Sequence, residues 1–209
     1  MCSLRRLSQI FETADRIPFD DDSKIILMSD CHRGDGSQAD DFFSNENLFI
    51  SALNHYYNEG YTYIEIGDGD ELWENKKLSV IINAHPESFR LLKQFHEDKR
   101  YYIIYGNHDM AKRNERYVRA NLYEYYDKWE KNLIPLFKNI KVHEGLVLEY
   151  TADSGGESVR EILLVHGHQV DFLNSRLWRL AKFLVRYFWK PLELFGVNNP
   201  TSPAVNPEK

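Results

Sequence analysis

Four short stretches of this chain place acids, histidines and an amide where metal or acid–base chemistry could occur. They are Asp30-Cys31-His32, Gly67-Asp68, Gly106-Asn107-His108-Asp109 and His166-Gly167-His168. Each follows an apolar run. The first, IILMSDCHRGDG over residues 25–36, poses the choice openly. Asp30 and His32 alternate around Cys31, and such a pair at a strand's mouth is a turn, an ion pair or two metal ligands. Alone, His32 reads as a surface or core histidine and Asp68 as a turn residue.

Together the groups favour a metal. Divalent transition ions take imidazole, carboxylate and amide oxygen where soft thiolates are absent. Asp30, His32, Asp68, Asn107 and His166 supply that set from four strand ends. In this reading Asp68 bridges two ions, with Asp30 and His32 on one and Asn107 and His166 on the other. Two such ions can bind both oxygens of a phosphate and turn a bridging water into hydroxide. His108 then stands beside the site as proton donor to the leaving oxygen or as a stabiliser of phosphate charge. Asp109 is expected to fix the tautomer of His108. Arg33 divides between a salt bridge and a phosphate contact. Asp70 and Glu71 are expected behind the ligands, orienting His32 or a water.

The elements that must position these groups alternate between strand and helix. Residues 25–29 are short, apolar and partly β-branched, as a fully buried strand requires. Phe49, Leu53 and Tyr56 recur at helical spacing, and Gly60 offers a stop. Strands are expected over 61–68 and 101–109. The segment from Leu78 to Arg100 is mostly helical, with Pro86 as a break or a new start. A further helix is expected over about 115–131. EGLVLEY and EILLVHGH read as an antiparallel pair around a turn near 153–157. The alternation implies an α/β fold with parallel pairing in its first half. Ligands in such sheets sit beyond the carboxyl ends of the strands, which brings all four motifs to one edge.

Outside that edge the residues read as scaffold. Asp35, Asp40 and Asp41 are expected in solvated loops or caps, with a place behind the ligands as the lesser alternative. His55, His85, His96 and His143 are expected in helices or loops as structural or exposed residues. Cys31, Trp73 and Trp129 are expected to pack.

Composition sets the frame. The chain has 209 residues, 43% of them hydrophobic and 14% aromatic, which supports one substantial domain over 1–209, with room for a small appendage, and argues against disorder. A net charge of −6 gives no general attraction to nucleic acid, so none is expected as a partner. Two cysteines make no disulfide framework. The first twenty residues lack a signal-peptide core, and no window reaches bilayer-spanning length. A cytoplasmic location is the expectation.

At DCH (30–32), GDGDE (67–71), GNHD (106–109) and HGH (166–168) the chain resembles the calcineurin-like metallophosphoesterase superfamily. The longer forms SDCHRGDG and GDGDELWE are most similar to its bacterial branch of UDP-2,3-diacylglucosamine pyrophosphohydrolases. The resemblance covers about residues 24 to 200. It implies a two-layer β core flanked by helices, an αββα sandwich. It also implies a dinuclear hydrolase using manganese, with iron, zinc or magnesium as alternatives, in which metal-held hydroxide attacks phosphorus. Asp30, His32, Asp68, Asn107, His108 and His166 fall on the family's metal and catalytic positions. Members carry a further Gly-His-x-His motif near the C-terminus, and here none follows His166. A fold lacking its C-terminal portion, an incomplete site or ligands from another chain are the corresponding expectations, with weak metal binding and reduced activity.

After His168 comes a basic stretch with Arg176, Arg179, Lys182, Arg186 and Lys190 at helical spacing and no acid from 172 to 190. Leu177, Leu180, Leu184 and Phe188 fall on the other side. An amphipathic helix over about 172–190 suits an anionic membrane surface, at the inner face of the membrane, or an acylated phosphate substrate. The plainer reading packs the helix on the core with its charges in water. The related pyrophosphohydrolases place a helical lid hereabouts, which adds weight to a nucleotide-linked or lipid phosphate as substrate. Against the hydrolase stand a non-catalytic metal- or phosphate-binding remnant and a peripheral membrane module.

Overall fold

A computed structural model of the chain describes residues 2–151, 160–170 and 182–191. Helix α1 (Cys2–Thr13) and strand β1 (Asp15–Phe19) precede the first apolar run, which forms β2 (Ile25–Met28). Then follow α2 (Glu46–Asn58), β3 (Thr62–Ile66), α3 (Leu78–Ala84), α4 (Pro86–Glu97) and β4 (Tyr101–Ile104). Pro86 opens α4 in the first turn, where its missing N–H is no loss. Gly60 ends the α2 region at φ 82°, a left-handed value that glycine adopts without strain.

The expected helix over 115–131 is a correction. Helix α5 stops at Asn121 (Glu115–Asn121), and β5 (Glu124–Asp127) and β6 (Asn132–Pro135) form an antiparallel hairpin. Tyr123, Tyr125 and Tyr126 favour a pleated surface over a helix, and that preference prevails. Trp129 at the hairpin turn is 85% exposed, so it does not pack as expected.

Strands β7 (Val142–His143), β8 (Gly145–Tyr150) and β9 (Arg160–Val165) complete the core. One sheet runs β2-β3-β4-β7, every pair parallel; the other runs β1-β8-β9, with β8 and β9 antiparallel as expected. The turn near 153–157 lies outside the described residues. His143 is a strand residue rather than a loop one.

Ile64 and Ile104 from one sheet meet Leu146, Leu148 and Leu164 from the other, forming the layer between sheets. On the far side of the four-stranded sheet, Tyr63 and Ile103 pack with Leu53, Ile81, Ile82, Leu92 and Phe95 from α2, α3 and α4. The result is two β layers flanked by helices. Among the described residues no helix is long and apolar enough to cross a membrane.

Candidate metal centre

Parallel register brings the ends of β2, β3 and β4 to one edge. Met28 pairs with Glu65, and Ile66 with Ile104. Beyond these strands the backbones remain joined: Asp30 N donates to Gly67 O at 3.1 Å, His32 N to Asp68 O at 2.9 Å and Arg33 N to Gly69 O at 3.0 Å. Strand β9 delivers His166 to the same edge, where its Nδ1 lies 3.0 Å from Ile66 O.

Asp30 and His32 do not share a side through extended alternation. Both, and Asp68, are left-handed, with φ of 55°, 49° and 51°. Non-glycine residues rarely adopt such values, and the cost is about 1–3 kcal/mol each. The bonds between the two loops hold them there.

The side chains converge. Asp68 Oδ2 lies 3.2 Å from His166 Nε2 and 3.9 Å from His32 Nε2. Asp30 Oδ1 is 3.7 Å from His32 Nε2, and Asn107 Oδ1 is 3.1 Å from His166 Nε2. Glu71 Oε2 contacts Nδ1 of His32 at 2.8 Å and Nδ1 of His108 at 2.6 Å. Two groups result with ligand atoms within 4.8 Å of one another: Asp30, Asp68 and His166, and His32, Glu71 and His108. The expected neighbours, Asn107 with His166 and Asp30 with His32, stand side by side, while Asp30 also lies near His166 and Glu71 joins His32 to His108.

The donor set fits a divalent cation. Burial works against a charged His32 ring, yet hydrogen bonds to Asp30 and Glu71 raise it to about 10. Burial likewise opposes charge on His166, and Asp68 raises it to about 9. The hydrogen bond with His32 holds Asp30 down at about 2. Burial would raise Asp68, but His166, His108 and His32 outweigh it and lower it. Carboxylates that hold protons on neighbouring imidazoles are a site where a metal ion replaces those protons.

Two glycines leave room for this arrangement. A Cβ on Gly106 would meet the Asp68 carboxylate and its backbone nitrogen, the latter at 2.6 Å. A Cβ on Gly67 would lie 2.6 Å from the His166 ring.

Three sequence expectations change. Asp109 does not touch His108; its Oδ1 accepts from Gly106 N at 2.6 Å and its Oδ2 from Lys112 Nζ at 2.7 Å. Glu71 engages His108 instead, and Trp73 stacks on the ring at 4.0 Å and 14°. Arg33 is a salt-bridge residue, not a phosphate contact: it is 1% exposed and binds Glu65 at 2.8 Å and 3.0 Å and Asp70 at 2.8 Å. Asp40 is buried, not solvated. Its carboxylate accepts from Gly34 N, Gly36 N and Phe42 N at 3.1, 2.8 and 3.1 Å, bracing the loop after His32.

Asp40 is held in turn by His85, whose Nε2 lies 2.7 Å from Oδ2 while Nδ1 lies 3.1 Å from Glu46 Oε2. Burial opposes a charged ring here, but the two carboxylates raise its pKa. A raised pKa gives stability that is complete below the ordinary histidine value and is lost as pH rises through the folded one. His85→Gln should therefore cost about 2 kcal/mol near pH 6, with the gap narrowing toward pH 9. Urea midpoints at the two pH values test this; a gap that widens with pH contradicts it.

Glu65 and Lys112 escaped sequence reasoning. Glu65 had a signal, a lone acid inside the apolar strand YTYIEI. Lys112 had none. It meets Asp70 at 2.6 Å and Asp109 at 2.7 Å beneath the site.

The basic segment also departs from expectation. In the 182–191 helix, Arg186 and Lys190 turn inward to Leu72, Asn75 and Asp35, while Phe183, Leu184 and Tyr187 are exposed. These two cations are therefore docked on the protein and do not stand in water, as the plainer reading had them. Arg176 and Arg179, with Leu177 and Leu180, lie outside the described residues.

Comparison with protein families matches the calcineurin-like phosphoesterase description over residues 23–203. The chain belongs to the calcineurin-like phosphoesterase family. No curated protein and no solved structure matches it. In this calcineurin-like phosphoesterase the clustered acids and histidines accord with a family that binds divalent metals and acts on phosphate esters.

Proposed function

We propose that this phosphoesterase holds two divalent ions, manganese first among them, through Asp30, His32, Asp68, Asn107 and His166, with His108 as its acid. The observation that carries the reading is the common orientation of three imidazoles. Nδ1 of His32 and of His108 contacts Glu71, and Nδ1 of His166 contacts the Ile66 carbonyl, which leaves each Nε2 for the space beyond the strand ends.

Bound divalent ions supply charge stabilisation for phosphate and a nucleophile at neutral pH. The chain's own residues orient and transfer. Glu71 accepts the Nδ1 proton of His108 and fixes which nitrogen faces outward. Trp73 covers one face of that ring and donates Nε1–H to the backbone carbonyl of Asn107 at 2.6 Å, so one side chain holds both the imidazole and the backbone that carries Asn107. His108 is then placed to pass a proton from Nε2 to the leaving oxygen.

The likeness of SDCHRGDG and GDGDELWE to bacterial UDP-2,3-diacylglucosamine pyrophosphohydrolases supports a nucleotide-linked or lipid-linked phosphate as the substrate class. The inward turn of Arg186 and Lys190 takes these two cations away from an anionic surface. With bis(p-nitrophenyl) phosphate and manganese, His108→Ala should lose about 10²- to 10⁴-fold in turnover while metal uptake persists. Equal turnover in variant and parent would sink the assignment. Manganese uptake with no turnover in the parent would instead favour the metal-binding remnant.

A further inference from the structure

Two side chains of the 182–191 helix reach the same turn of the body of the protein. Arg186 Nη2 donates to Leu72 O at 2.9 Å and to Asn75 O at 3.0 Å. Lys190 Nζ reaches Asn75 Oδ1 at 2.8 Å and Asp35 Oδ2 at 2.7 Å. Asn75 is buried, and its Nδ2 donates to Glu71 O at 3.0 Å. The turn gripped in this way, residues 71–75, carries both groups that orient His108. Glu71 meets the ring at Nδ1, and Trp73 lies flat against it.

Hydrogen bonds from a guanidinium to carbonyls are charge-assisted, and a planar fork holds two acceptors in fixed directions, which a lysine ammonium does not. Lys190 adds a bond to the Asn75 side chain, but the two backbone carbonyls of the turn are held by Arg186. Release of the two carbonyls would free the turn to shift, and Glu71 and Trp73 would move with it.

We infer that Arg186 is a positioning residue for His108, acting through the 71–75 turn. The inference rests on the proposed role of His108 for its effect on turnover, but its structural half does not depend on that role. Arg186 touches neither the imidazole nor the proposed metal ligands in the described contacts. Its loss should therefore degrade the chemical step and leave substrate binding nearly intact.

The test uses the full chain, with Arg186→Ala and Arg186→Lys against the parent. In metal-free protein, ring protons of His108 should resonate upfield because they lie over the Trp73 face; the His108→Ala spectrum assigns them. Arg186→Ala should shrink that upfield shift, and with manganese and bis(p-nitrophenyl) phosphate it should lower kcat about 10- to 100-fold at nearly constant KM. Arg186→Lys should restore only part of either quantity. If Arg186→Ala does not fold, Arg186→Lys carries the same two readouts. Parental shift and parental kcat together overturn the inference. A collapsed shift with parental kcat overturns the catalytic role of His108 and leaves the clamp standing, so the two failures are distinguishable.

Discussion

Asp68→Asn should keep the fold and lose about a thousandfold in turnover, equivalent to about 4 kcal/mol of transition-state stabilisation. Asp68 lies between the two histidines that face the proposed ions, 3.2 Å from His166 Nε2 and 3.9 Å from His32 Nε2. Its other oxygen accepts the backbone N–H of His108 at 2.8 Å. An asparagine can retain that acceptor and the side-chain shape, so the change removes the charge and the acceptor that faces the two histidines. Manganese titration by calorimetry in two buffers of different ionisation heat separates metal loss from misfolding. Metal-free His32 and His166 hold their protons up to about 10 and 9, so ion uptake by the parent must release protons. Affinity should then rise from pH 6.5 to pH 8.5 in the parent, and uptake should fall sharply in Asp68→Asn. Uptake that ignores pH, or turnover that ignores the substitution, would remove these residues from the metal shell.

Arg33→Met should destabilise the protein by about 3–5 kcal/mol, the usual cost of stripping one partner from a buried ion cluster. Glu65 is 0% exposed and Asp70 is 2% exposed, and Arg33 supplies hydrogen bonds to both. Lys112 is left to neutralise Asp70 and Asp109, and it lies 4.0 Å from Glu65. The guanidinium also lies 5.2 Å from the Phe89 ring centre, so its removal disturbs aromatic packing as well. Arg33→Lys should recover only a fraction, since an ammonium cannot span the Glu65 carboxylate and Asp70 together. Adding Glu65→Gln to Arg33→Met should regain part of the loss, because the stranded charge is removed with its partner. Urea unfolding of the three variants measures this; a loss below about 1 kcal/mol for Arg33→Met would show that the cluster relaxes into water.

The sequence disclosed the parts of this protein that follow short-range rules. Apolar runs ending in Asp, Asn or His marked β2, β3, β4 and β9, and parallel α/β topology predicted that their ends meet. Spacing could not reveal how Asp30 and His32 come to face the same space, because a left-handed turn imitates strand alternation when only residue order is read. The partner of His108 was misassigned for a related reason. Asp109 is adjacent in sequence, but its carboxylate is committed to Gly106 and Lys112, while Glu71 arrives from another strand end. Orientation of the C-terminal helix was equally hidden. A row of basic residues resembles a solvated face until carbonyls and acids elsewhere in the chain are known to lie beneath it. The β5–β6 hairpin was missed where charged residues between tyrosines imitate helical spacing.

The left-handed backbone at Asp30 sets selection for folding against selection for chemistry. The aspartate side chain is more than half exposed and contributes little packing, whereas glycine would adopt its φ of 55° freely. Relief of that backbone cost favours the folded chain and simultaneously deletes a proposed ligand. A library of this protein enriched only for heat resistance would therefore drift toward glycine at position 30 and accumulate well-folded, inactive descendants.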